Sequence, residues 1–200
     1  MSQSGRVILS NGLGEFFRQE VSAARDSMGL ELTELTEHYL VNMLCDFSRL
    51  ENQPKPGEEP LALLYKRALE ASWAERAQLL KNLGDLALYV AGFFTEHVER
   101  SMVDIDYYIS MGGGAYNHLS DLVSSQRSGE TFAHIYCQLA EKFADLVELL
   151  NKISGQSRVQ DQQLLRMYDR WVRTRNQRVR ERLVQSGLIP HDELPDEYVQ

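Results

Sequence analysis

Apolar side chains recur at steps of three and four along nearly the whole chain. That spacing lines them up on one face of an α-helix. Leu13, Phe16, Phe17, Val21 and Ala24 mark the first such face, and Ser27-Met28-Gly29 closes it. Glycine accepts the left-handed backbone that ends many helices. Leu32, Leu35, Leu40, Met43, Leu44, Phe47 and Leu50 form a second, wider stripe. Residues 51–60, ENQPKPGEEP, read as a loop of solvated charge punctuated by proline and glycine. A short helix, LALLYKRALEA, follows. Ser72 and Glu75 in SWAE have capping-box spacing, which predicts a helix starting at Ser72 and running towards Phe93. After a turn within Gln126–Glu130, Phe132, Ile135, Leu139, Phe143, Leu146, Leu150 and Ile153 make a clean amphipathic stripe. A last helix is predicted from Val159 to about Gln185, ended by Gly187 and Pro190. No segment alternates with period two, and no repeat or low-complexity run breaks the pattern. The prediction is an all-α, single-domain bundle of about seven helices over residues 1–200. Within it, 158–186 is the arginine-rich C-terminal helix and 187–200 an acidic tail.

One stretch strains this reading. Tyr107 to His118 reads YYISMGGGAYNH, with three glycines where the pattern asks for helix. From Thr95, a predicted N-cap, the apolar positions are Val98, Met102, Ile105, Ile109, Gly112, Tyr116, Leu119 and Val123. The rhythm passes through the glycines without losing phase. It predicts one helix over 95–126, with Gly112 on the buried stripe and Ala115 beside it. Each interior glycine costs about 1 kcal/mol relative to alanine, against a domain stability of about 5–15 kcal/mol. A compensating contact is therefore expected. Gly84, Ala87 and Ala91 on the preceding helix offer a matching small surface for close packing. The competing expectation is a ligand against the helix, in a pocket formed by Tyr107, Tyr108, Gly112, Tyr116 and His118.

Charge changes the picture next. The formal net charge of −8 is segregated: residues 1–157 carry 13 basic and 22 acidic side chains, whereas 158–182 carry eight arginines and three acids. In the latter segment Leu164, Tyr168, Trp171, Val172, Val179 and Leu183 trace an apolar stripe interrupted near Arg175. Arg166, Arg170, Arg173, Arg178 and Arg180 form a candidate surface beside it. Arginine pairs with carboxylate or phosphate through two parallel hydrogen bonds. Three roles compete: a solvated face pairing loosely with the acidic body, a docking surface for a partner protein or a second copy, and a polyanion site. The acidic remainder weighs against RNA. A helix-turn-helix across residues 18–40 would present Glu31, Glu34 and Glu37 to phosphates, which excludes DNA.

Candidate chemistry is sparse. No carboxylate stands three residues before any of the five histidines, and HExxH, CxxC, the nucleophile elbow and the phosphate-loop pattern are absent. A looser grouping of Glu96, His97, His118 and Asp121 does not rise above chance in a chain with 29 acids, so no metal site is expected. Haem between the glycine-rich helix and His38 or His97 is the enzyme alternative, with His38 expected partly buried beside Val41 and Cys45. The sequence does not identify a cofactor. Cys45 and Cys137 read as buried free thiols of a reducing compartment. The N-terminus has no signal-peptide pattern, and no stretch approaches the roughly 20 apolar residues of a membrane span, so a cytoplasmic location off the membrane is expected. The functional expectation is a non-catalytic protein-interaction or regulatory bundle able to pair with itself. The alternatives are a small-molecule or haem-binding helical enzyme and a polyanion binder.

Overall fold

The computed structural model describes residues 4–48, 60–95, 98, 104–126 and 129–185. Among them lie eight α-helices and no strand: α1 (Ser4–Met28), α2 (Glu34–Phe47), α3 (Leu61–Glu70), α4 (Trp73–Phe93), α5 (Ile105–Ser124), α6 (Glu130–Glu141), α7 (Phe143–Thr174) and α8 (Gln177–Gln185). The all-α fold expected from the spacing is the fold observed. The predicted loop at 51–60 and tail at 187–200 fall almost wholly outside the described residues.

Helix boundaries reflect local chemistry. Gly29, at φ 63°, ends α1 in the left-handed conformation, at the boundary the sequence suggested. Ser72 is the N-cap of α4, but its side chain makes no cap hydrogen bond, so the expected capping box does not form. Arg76 works there instead. Its guanidinium donates to the carbonyls of Ala68, Leu69 and Ala71 at 3.1, 2.9 and 3.2 Å, satisfying acceptors left open where α3 ends.

Three predicted continuities are corrected. The helix expected from Thr95 is broken before Ile105: Asp104 is extended (φ −71°, ψ 156°), and its carboxylate accepts from the Ile105 N–H at 2.6 Å. Thr95 is not an N-cap; its hydroxyl donates backwards to the Ala91 carbonyl at 2.7 Å. The stripe from Phe132 to Ile153 spans two helices, because Lys142 turns between α6 and α7 (φ −102°, ψ 17°). The helix begun at Phe143 then runs unbroken through Gly155 to Thr174. The final predicted helix breaks at Arg175, at φ 48°, where its apolar stripe was interrupted. Asn176 restarts the chain by accepting from the Arg178 N–H at 2.9 Å.

The chain groups into two compact units, one up to Ser154 and one from Gly155 on. In the first, α4 packs against α3 and α5, α5 against α6, and α1 against α2, with α2 also meeting α6. The small surface on α4 has the role the sequence suggested. A Cβ added at Gly112 would collide with the Phe143 ring and with Ala87, and one added at Gly84 would lie 2.6 Å from the Tyr116 ring. The three central glycines are not equivalent. Gly113 has only ordinary contacts, and Gly114 faces open space. In the second unit Trp171 and Leu183 are buried, Tyr168 packs at 5.7 Å from Trp171, and the Arg175 guanidinium stacks 4.6 Å above the Trp171 ring.

Candidate functional site

The most concentrated polar chemistry surrounds Asp85 in the middle of α4. It lies in the apolar run LGDLALYV, and its residue is 6% exposed. A buried carboxylate is tolerated only when it is paired and hydrogen-bonded. Here each oxygen is served. Oδ1 accepts from the hydroxyls of Tyr39 on α2 and Tyr116 on α5, at 2.5 and 2.6 Å. Oδ2 accepts from Lys81 Nζ at 2.6 Å, one helical turn earlier on α4. The Lys81 ammonium also lies 5.3 Å from the centre of the Tyr39 ring. Tyr136 on α6 completes the cluster: it stacks on Tyr116 at 6.1 Å and meets Tyr39 edge-on at 5.8 Å.

Electrostatics fix the protonation of the phenols. Burial first, then the Asp85 charge, drives the Tyr39 and Tyr116 hydroxyls far above the ordinary phenol range. The same two causes push Tyr136 up to about 12. All three are neutral donors near neutral pH. The Asp85 carboxylate, already engaged by three donors, is not a free base. Lys81 differs, because its side chain keeps 37% exposure. With Tyr136 it lines a cleft of about 320 Å³ between α4, α5 and α6.

The residues expected to form a pocket on the glycine-rich helix have separate partners among the described residues. Gly112 is packed against Phe143 and Ala87, and Tyr116 is wholly buried beside Asp85. The Tyr107 hydroxyl accepts from the Ala62 N–H at 3.0 Å, tying α5 to the start of α3, and the Tyr108 ring packs edge-on against Tyr107. His118 is exposed; its ring stacks on Tyr65, with Nδ1 2.7 Å from the Tyr65 hydroxyl. His38, expected partly buried, is also exposed. Glu96 and His97 lie outside the described residues. Among the described residues no three His, Cys, Asp or Glu side chains are grouped to hold a metal ion. Cys45 and Cys137 are half-buried and form no disulfide. Burial first, then the hydrogen bond to Glu141 and the charges of Glu141 and Asp121, raises the Cys137 thiol, which disfavours the nucleophilic thiolate.

Arg166, Arg170, Arg173 and Arg178 are exposed, and Arg180 is half-buried. Arg166, Arg170 and Arg173 share one face of α7, spaced four and three apart. No ion pair engages them or Arg178 among the described side chains. Tyr39, Lys81, Asp85 and Tyr136 did not emerge from sequence reasoning. The available signal was a lone aspartate inside an apolar run with a lysine one turn before it. Comparison with protein-family models, curated proteins and solved structures found no match.

Proposed function

We propose that this protein acts by association rather than catalysis, and that it pairs with a second copy of itself through its arginine-rich C-terminal helices. The observation that carries this reading is the row of exposed arginines without acidic partners among the described side chains. Exposed guanidinium groups are suited to carboxylate surfaces. Residues 1–157 supply such a surface, with 22 acids against 13 basic side chains. A reciprocal dimer lets the basic helices of each chain meet the acidic unit of the other, so both interfaces close within one two-fold assembly.

Salt weakens such contacts, since exposed charges are screened beyond a Debye length of about 8 Å at physiological ionic strength. Sedimentation velocity at micromolar concentration is therefore expected to give a dimer in low salt and a monomer in high salt. The triple variant R170Q/R173Q/R178Q is expected to be monomeric in both. A wild-type monomer in low salt overturns the proposal. So does a dimer indifferent to salt and to the three substitutions, or retention of the monomer on heparin in its place.

A further inference from the structure

The cleft beside the Asp85 cluster has a composition unlike the surface around it. One wall is the small side of α4, Ala74 and Ala77; the facing wall is Phe132 and Tyr136 of α6; the floor is Leu119 and Val123 of α5. Each pair is spaced three or four residues apart, so each presents one strip of its helix. Small side chains on one helix and rings on another, with the amides of Gln78 and Gln126 also lining the cleft, leave room for a flat apolar body with a polar head. Phe132 is 56% exposed, a large apolar ring left in water. Among the described residues lining the cleft, Lys81 alone carries charge. That is notable in a unit whose acids outnumber its basic groups 22 to 13. Two other hollows among the described residues differ. The one between α1 and α2 mixes arginines with glutamates and an aspartate, and the one beside His118 contains Arg76 and Asp121.

Lys81 is held in place by its partner without being used up by it. Its ammonium has three N–H donors, and the structure gives it one carboxylate oxygen, Asp85 Oδ2. Asp85 in turn shares its charge with the Tyr39 and Tyr116 hydroxyls. The ammonium therefore keeps donors, and residual attraction, for a second anion on its exposed side. The ring of Tyr39 and the ion pair fix its position, which lowers the entropy lost when a ligand binds.

We propose that this cleft binds a small carboxylate with a flat apolar body, its head on Lys81 and its ring between Ala77 and Phe132. A volume of about 320 Å³ has room for on the order of ten non-hydrogen atoms at the density of liquid water. The proposal does not rest on self-association, since the described lining of the cleft comes from one chain and includes no residue of the arginine-rich helices.

The test titrates 3-phenylpropanoate, and separately its neutral amide, into the ¹⁵N-labelled full chain while amide resonances are followed. The acid is expected to shift Ala77, Lys81, Phe132 and Tyr136, with the amide about tenfold weaker, the worth of one charge-assisted hydrogen bond. Lys81→Met is expected to abolish the preference for the acid. Phe132→Ala, a change at an exposed side chain that leaves the fold intact, is expected to weaken both ligands. Should Lys81→Met unfold the chain, Lys81→Arg takes its place; it keeps the cation and is expected to keep the preference. No shift in the cleft at millimolar ligand overturns the proposal. Equal binding of acid and amide does so too, as does a Phe132→Ala variant with unchanged affinities or a Lys81→Arg variant without the preference.

Discussion

Gly112 and Gly114 stand two positions apart on one helix and carry opposite demands. At Gly112 a methyl group would meet Phe143 and Ala87, so overpacking of about 1–3 kcal/mol opposes a helix-propensity gain of about 1 kcal/mol. At Gly114 nothing lies within 4 Å, and only the gain remains. Thermal unfolding should show Gly112→Ala less stable than wild type and Gly114→Ala more stable; equal shifts would mean the contact at Gly112 is not tight. The sequence rhythm located Gly112 on the buried face, but not which residue covers it, because Phe143 belongs to a helix whose start was not legible. The tyrosines around Asp85 give a second prediction. Their folded pKa values lie above the ordinary phenol value, with Tyr136 at about 12. Below about pH 10 they are neutral in both states and the network is intact. As pH climbs from there through the folded values, the unfolded chain releases protons that the folded chain keeps, and stability falls. Urea unfolding between pH 8 and about 11 is expected to show this decline, flatter in Tyr39→Phe; a slope unchanged by that substitution would separate the decline from the network.

Helix existence was legible and helix continuity was not, for a physical reason. Apolar phase records which side of the chain faces the core, and packing can preserve that side across a break. The stripe from Val98 onward keeps step although Asp104 is extended, and the stripe from Phe132 keeps step across the turn at Lys142. The break at Arg175 did leave a mark, a lapse in the stripe, since the left-handed residue there separates the end of α7 from the start of α8. A non-glycine residue at φ 48° gives up about 1–2 kcal/mol. Stacking over Trp171 at 4.6 Å returns about 0.5–2 kcal/mol. Arg175→Gly removes both terms and should change little. Arg175→Ala keeps the backbone cost and loses the stacking. Hydrogen exchange of the α8 amides is expected to be several-fold faster in the alanine variant than in the glycine one; the reverse order would show that the left-handed backbone costs nothing at this position.

Over the whole molecule, fold class and charge segregation were legible because neither depends on knowing which residues touch. Helical spacing is local, and the contrast between residues 1–157 and 158–182 is a matter of counting. The Asp85 cluster was not legible, since Tyr39, Asp85 and Tyr116 come from three helices far apart in sequence, and each tyrosine passes for one more apolar position on its stripe. That same dispersal has an effect on assembly. Greasy stripes of similar rhythm fit one another almost as well after sliding by a turn, about 5.4 Å, and oil-like contact alone discriminates poorly among the resulting decoys. A lone anion that must meet phenols from two neighbouring rods, as Asp85 meets Tyr39 and Tyr116, tolerates no such slippage. A mis-threaded bundle takes away both phenols and leaves it only Lys81, on its own helix, to offset its burial, so the joint favours a single register.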